Sequence, residues 1–149
     1  MSTSTSFDAR RVRIPFYKRS FTESEIEAAA NCIRSGHLTQ GELVEKFEEE
    51  FKTFVGSKYA IAVNSCTSAL FLSLMLIKPK KVSIPSMTFA SVASCVIHAG
   101  AELLWIDESW SGSRYALISN NPQPGIIYDS AHALHRGDTS IRPNDIVCY

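Results

Sequence analysis

Between Ala60 and Ile106 short apolar runs alternate with longer apolar stretches at helical spacing, and this alternation restricts the fold more than any other feature of the chain. It predicts a strand over Ala60–Val63, a helix over Thr67–Ile77, a strand over Val82–Ile84, a helix over Thr88–His98 and a strand over Glu102–Ile106. Short, continuously apolar strands separated by helices form a mostly parallel sheet, because each parallel pair needs a crossover that lays a helix on a sheet face. The expected fold class is α/β, layered and doubly wound, with both faces of the sheet buried.

Two helices are expected upstream. Thr22-Glu-Ser-Glu25 is a capping box, with Phe21 and Ile26 at the positions of a hydrophobic staple. Ile26, Ala29, Ala30 and Ile33 then form one apolar stripe, and Gly36 is the stop. A second helix over Glu42–Val55 aligns Leu43, Phe47, Phe51 and Phe54 and ends at Gly56. Its aromatic stripe reads as core, and Glu48-Glu-Glu50 as a solvated face. No internal repeat is present.

The chemistry lies at strand ends. Tyr59-Ala-Ile-Ala-Val-Asn-Ser-Cys-Thr-Ser-Ala-Leu70 runs from a strand through small polar residues into a helix. A helix starting near Thr67 points unpaired N–H groups and a positive dipole end outward, which suits a phosphate; Ser65 and Thr67 add hydroxyls. The plain alternative is a capped connection that binds nothing. At Gly125-Ile-Ile-Tyr-Asp-Ser-Ala-His132 a second buried strand ends in Asp129, with His132 three residues on, at the edge where open α/β sheets bind ligands. Between them Val82-Ser-Ile-Pro-Ser-Met-Thr-Phe-Ala-Ser91 carries Phe89 on its exit loop. Phosphate donors, a flat ring and an aspartate on successive units suit a phosphorylated, planar, nitrogen-containing cofactor, of which pyridoxal phosphate is one. His132 and His135 are spaced like helical metal ligands, but no carboxylate or thiol motif completes a set, and no metal is expected.

Seven segments carry a resemblance: Ile14-Pro-Phe16; Ser35-Gly-His-Leu-Thr-Gln-Gly41 with Val44, Phe47 and Glu48; Val55-Gly-Ser-Lys-Tyr-Ala-Ile-Ala-Val63; Ser65-Cys-Thr-Ser-Ala-Leu70; Pro85-Ser-Met-Thr-Phe-Ala90; Ala99-Gly-Ala-Glu102 with Ile106-Asp107; and Asp129-Ser-Ala-His132. In this order, from about Arg13 to Tyr149, the chain resembles the DegT/DnrJ/EryC1/StrS aminotransferases. The resemblance implies a three-layer, mostly parallel sheet of the fold-type-I pyridoxal-phosphate transferase large domain, incomplete, over residues 13–149, behind a disordered tail at 1–12. It implies pyridoxal 5'-phosphate as cofactor, with nucleotide-linked keto-sugars and an amino acid, expected to be glutamate, as substrates of the complete enzyme. Its products feed surface polysaccharide or glycosylated metabolites.

Residue roles follow by the same resemblance. Cys66 and Thr67 meet the phosphate through backbone N–H groups and the Thr67 hydroxyl. Phe89 stacks on the pyridine face, Asp129 pairs with the pyridine nitrogen and keeps it protonated, and His132 lies near the phenolic oxygen or ring face. Each has a structural alternative: a turn-forming small residue for Cys66, core packing for Phe89, a helix cap for Asp129 and a satisfied structural histidine for His132. His37-Leu-Thr-Gln-Gly41 corresponds to a loop near the active site and dimer contact, or to ordinary helix punctuation. Further phosphate ligands are expected after Tyr149 or from a second subunit, so a homodimer or a complementing chain is implied.

Two departures stand out. The 21 residues between Asp107 and Asp129 (129 − 107 − 1) replace a strand and helix with turn chemistry and one short strand over Arg114–Ser119, so a loop residue of the substrate pocket is expected to be absent. The family's Schiff-base lysine follows a strand like Asp145-Ile-Val-Cys-Tyr149, and neither Lys46, Lys52, Lys58, Lys78, Lys80 nor Lys81 has that context. The readings left open are an incomplete copy, a half-enzyme completed by another chain, a non-catalytic cofactor-binding or interaction subunit, and a sugar dehydratase of the same fold.

Composition sets outer bounds. With 149 residues, one domain is expected, and 15 basic against 15 acidic residues leave no charge excess for nucleic acid or an anionic membrane. The longest apolar stretch, Ala69–Ile77, is far short of the ~20 residues of a membrane span, and Met1–Ser6 has no apolar core of a signal peptide. Cys32, Cys66, Cys95 and Cys148 have neither metal nor CxxC spacing and read as reduced thiols, consistent with an expected cytoplasmic location. A helix terminus lowers the pKa of a thiol beside it, but for Cys66 the stronger reading is a small side chain that suits the turn.

Overall fold

The computed structural model describes residues 20–109, 114–119, 126–134 and 142–149, divided between a unit at 1–41 and a unit at 42–149. The expected tail, the Ile14-Pro-Phe16 segment, the turn residues 110–113 and 120–125, and His135 lie outside the described residues.

In the first unit α1 spans Glu23–Ser35 behind Thr22, whose extended backbone (φ −97°, ψ 173°) makes it the N-cap. The Glu25 carboxylate accepts the Thr22 N–H at 2.7 Å and also the Thr22 hydroxyl. The Thr22 side chain, then its backbone, holds the Glu25 carboxyl below the usual carboxylate range. Gly36 ends the helix at φ 74°, a left-handed conformation that glycine adopts without a Cβ clash. The Ile26 and Ile33 stripe is exposed, and no α1 residue is buried. In the loop that follows, the His37 ring turns back to the Gln40 carbonyl at 3.1 Å.

In the second unit α2 spans Glu42–Val55 and stops at Gly56 (φ 76°), whose N–H bonds the Lys52 carbonyl at 3.0 Å. Its aromatic stripe is not the expected core. Val55 is the one buried residue of the helix, while Leu43, Phe47 and Phe54 are exposed. Phe51 packs on Phe47 (5.6 Å between centroids) and meets Tyr149 edge-on (5.3 Å). Glu48 is not simply solvated either, because its carboxylate accepts the Ala62 N–H at 2.7 Å. That bond helps explain the missing first strand: residues 59–63 are irregular, with Ala62 tied to a side chain and Ile61 80% exposed. A strand needs a ladder partner, and none lies beside this segment among the described residues.

The remaining elements are α3 (Cys66–Ile77), β1 (Lys81–Pro85), α4 (Ala90–His98), β2 (Glu102–Ile106), β3 (Tyr115–Ser119), β4 (Ile127–Asp129) and β5 (Ile146–Cys148). The sheet has the order β2-β1-β3-β4-β5. β1 and β2 pair in parallel, as do β4 and β5, while β3 is antiparallel to both its neighbours, so four of the five strands share one direction. Chain length explains the reversal. α4 carries the chain back between β1 and β2, whereas 107–114 and 120–126 are too short for such a crossover.

α3 and α4 pack on each other and on one sheet face. Leu70, Leu74, Val92 and Val96 meet Val82, Ile84, Leu117, Ile127 and Cys148 in one buried cluster. The doubly wound expectation therefore meets helices on a single face among the described residues; Ser83, Leu104, Ala116, Tyr128 and Val147, of the opposite face, are only partly buried. α4 starts two residues later than expected because residues 86–88 form a bend and Phe89 becomes the N-cap (φ −70°, ψ 136°).

Candidate cofactor site

Three chain reversals meet at the C-terminal edge of the parallel strands. The first is the start of α3. Ser65 is extended (φ −166°, ψ 156°) and its hydroxyl accepts the Ser68 N–H at 3.1 Å, while the Ser65 carbonyl accepts Ala69 N–H at 3.1 Å. The N–H groups of Cys66 and Thr67 find no acceptor among the described residues, which leaves two donors at the positive helix end. The Thr67 hydroxyl pairs with the Ser91 hydroxyl at 2.9 Å, which joins α3 to α4.

Asp129 ends β4 and is 9% exposed. Its Oδ1 accepts the Ala131 N–H at 3.1 Å and the Cys66 thiol at 3.7 Å, and its Oδ2 accepts the Tyr115 hydroxyl at 2.8 Å. The Tyr115 hydroxyl also meets the Thr88 hydroxyl, in the bend before Phe89. Burial, then the neighbouring Asp129 carboxylate, pushes the Cys66 thiol up to about 12. The shift runs opposite to the one a helix terminus would cause, and Cys66 is a protonated donor, in keeping with its reading as a small turn residue. Burial likewise raises the Tyr115 phenol and brings the Cys148 thiol to about 11.

Of the five expected residues one pair is in direct contact, and the others stand beside residues that the contacts join. Cys66 touches Asp129; Thr67 touches Ser91; Phe89 lies between Thr88 and Ser91 in sequence and is 74% exposed, so it is not the core residue of its alternative reading. Asp129 does tie the turn after β4, through one oxygen, but the turn at 131–132 is not a helix. His132 lies exposed in that turn, one residue past Ala131. Sequence reasoning missed Tyr115 and Thr88. Their signal is the strand register, which sets Tyr115 directly opposite Asp129, and that register is invisible before β3 and β4 are paired.

The described lysines lie elsewhere. Lys81 starts β1, at the opposite end from Thr88, and bridges Glu102 at 2.8 Å; Lys52 pairs with Glu49 and Lys46 with Glu50, while Lys58 sits 5.0 Å from the Tyr59 ring centre. The cysteines are free, and no group of three or more metal-ligating side chains occurs among the described residues.

Comparison with known proteins gives this geometry its context. Residues 19–111 match the model of the DegT/DnrJ/EryC1/StrS aminotransferase family. The spore coat polysaccharide biosynthesis protein SpsC of Bacillus subtilis is 42% identical over 97 residues, covering 63% of this chain and 25% of that protein. The UDP-4-amino-4,6-dideoxy-N-acetyl-beta-L-altrosamine transaminase of Campylobacter jejuni is 35% identical over 122 residues, covering 76% and 32%. Among solved structures, the pyridoxal-phosphate form of the putative sugar aminotransferase Spr1654 from Streptococcus pneumoniae superposes with a TM-score of 0.60 at 30% identity, over 64% of this chain and 25% of that one. An E. coli GDP-4-keto-6-deoxy-D-mannose-3-dehydratase with bound hydrated cofactor shares the fold at TM-score 0.63 and 18% identity, over 77% and 33%. The fold is that of the fold-type-I large domain, and the chain spans about a quarter to a third of the length of the relatives it matches. With 93 of its residues (111 − 19 + 1), more than half of its length, inside the family model, this chain belongs to the DegT/DnrJ/EryC1/StrS aminotransferase family.

Proposed function

We propose that this chain forms the cofactor-facing part of a pyridoxal-phosphate aminotransferase of nucleotide-linked keto-sugars, as residues 13–149 of its large domain. The observation that carries the proposal is the buried Asp129 carboxylate at a strand end, hydrogen-bonded to the same short segment of α3 whose first two N–H groups are unpaired.

The donor set fits the cofactor. A phosphate dianion suits the Cys66 and Thr67 N–H groups, and the Ser91 hydroxyl steadies that of Thr67. Phe89 offers an exposed flat face to a ring. Asp129 has neutral hydrogen-bond donors and no ion-pair partner among the described residues, so a cationic N–H is the partner its burial calls for. His132 is assigned a place beside the ring. When bound, pyridoxal phosphate supplies an electron-withdrawing ring that stabilises negative charge on a substrate carbon. Asp129 keeps the proton on the ring nitrogen, the α3 terminus anchors the phosphate, and the protonated Cys66 thiol donates to Asp129 without competing for the carbonyl.

The substrate class is supported by the Campylobacter relative, named for a UDP-linked sugar, and by the polysaccharide role in the name of SpsC. A homodimer goes with the exposed α2 stripe, and a cytoplasmic site of action with four free thiols. None of the described helices is long and apolar enough to cross a membrane. The aminotransferase reading stands ahead of a dehydratase because the Campylobacter relative at 35% identity and Spr1654 at 30% carry transaminase or aminotransferase names, whereas the dehydratase likeness, at 18% identity, is one of fold.

Titration of the chain with pyridoxal phosphate, followed by the cofactor's absorbance, tests this reading. Saturable binding that Asp129→Asn weakens tenfold or more is expected, and equal affinity of the variant and the parent refutes the assignment.

A further inference from the structure

The hydrogen-bond capacity of Asp129 is unevenly used. A carboxylate has about four acceptor positions, two on each oxygen. Among the described residues Oδ1 holds two donors, the Ala131 N–H at 3.1 Å and the Cys66 thiol at 3.7 Å, and Oδ2 holds one, the Tyr115 hydroxyl at 2.8 Å. The open position is therefore on Oδ2, beside the Tyr115 hydroxyl. That hydroxyl has a single proton. If Asp129 receives it, the second partner, Thr88, must donate its own proton to the Tyr115 oxygen, which gives a one-way chain from the Thr88 hydroxyl through the Tyr115 hydroxyl to Asp129 Oδ2. Tyr115 is 8% exposed and stands opposite Asp129 in the β3–β4 ladder, so its ring has little freedom to leave. Thr88 immediately precedes Phe89.

We propose that Tyr115 is the positioning residue of the cofactor site: with Thr88 it fixes Oδ2 of Asp129 as the oxygen that receives the cofactor's ring N–H, and it ties that oxygen to the loop that carries Phe89. The proposal rests on the cofactor reading above. It assigns one side chain to the alignment of two contacts, at the ring edge and at the ring face, which come from opposite sides of the sheet's antiparallel strand. A tyrosine that merely filled the core would be replaced by phenylalanine without consequence for the ligand.

The test compares Tyr115→Phe, Thr88→Ala, Thr88→Ser and Asp129→Asn in the whole chain, by pyridoxal phosphate titration and by the proton NMR signal of the Tyr115 hydroxyl without cofactor. The parent should show a slowly exchanging Tyr115 hydroxyl signal that moves in Thr88→Ala and Asp129→Asn. Affinity should fall about tenfold in Tyr115→Phe, fall less in Thr88→Ala, and return in Thr88→Ser, with the folded circular dichroism spectrum unchanged throughout. If Asp129→Asn weakens binding and Tyr115→Phe does not, the positioning role is overturned while the cofactor reading stands. If the parent binds no cofactor, the cofactor reading fails and the positioning role falls with it; the hydroxyl signal then decides separately whether the Thr88–Tyr115–Asp129 chain exists.

Discussion

Asp129 is a carboxylate held by two neutral side chains and one N–H, so its surroundings orient it without neutralising it. In the proposed site Thr67 is the weaker partner of the cofactor, and Thr67→Ala should cost about 1–2 kcal/mol of cofactor affinity, the value of a lost hydrogen bond to a charged group. A titration curve that coincides with the parent's would remove Thr67 from the phosphate site. No described lysine lies in this network, so borohydride treatment with the cofactor should attach no stoichiometric adduct to Lys46, Lys52, Lys58, Lys78, Lys80 or Lys81; intact-mass measurement decides. Burial raises Cys66 to about 12 and Cys148 to about 11 from the ordinary thiol value of 9.0, and raises Tyr115 as well. Unfolded, these groups release protons at lower pH than they do when folded. Their contribution to stability is thus complete below about pH 9 and declines as the pH rises toward 11–12. Urea midpoints at pH 7.5, 9 and 10.5 should fall across the last interval, less steeply in Cys66→Ala; a midpoint that holds to pH 10.5 contradicts the burial argument.

The elements differ in how much of their own evidence they carry. α3 starts where Ser65 can cap Ser68, and Ser65→Ala should lower stability by about 1 kcal/mol, whereas Leu74→Ala, at a fully buried position, should lower it by roughly 2–5 kcal/mol. Denaturant melts of the two variants check the order, and a reversed ranking would move the core away from α3. The bounds of α1, α2 and β2 were legible because their signals are local: a cap, a stripe and a left-handed glycine at Gly36 or Gly56. The strand over 60–63 was misread because an apolar run becomes a strand only beside another, and Ala62 instead bonds Glu48. The stripe of α2 was misread as core for a related reason, since the period shows which face is apolar and not what covers it. In the candidate site, the helix start near Cys66 and Thr67 and the strand end at Asp129 were legible. Tyr115 and Thr88 were not, because only pairing across β1, β3 and β4 brings them together.

At the scale of the whole molecule, exposed apolar side chains on α2, at Leu43, Phe47 and Phe54, predict self-association. Light scattering after size exclusion should report a species heavier than 16.5 kDa, and Phe47→Glu should shift it toward monomer; a parent that elutes as a monomer at high concentration speaks against the homodimer. The sheet also has a seam. Among the described residues the β1–β3 ladder holds two residue pairs, against five between β1 and β2 and three between β3 and β4. Thr88 follows the strand on one side of the seam and Asp129 ends a strand on the other, with Tyr115 as their link. A ligand that needs both sides will therefore pull the seam shut, and amide hydrogens of Val82, Ser83 and Ser119 should exchange more slowly when pyridoxal phosphate is bound, while the β1–β2 ladder hardly changes. In this sense the short ladder acts as a reporter: occupancy of the site is written into the exchange rates of backbone hydrogens that never touch the ligand.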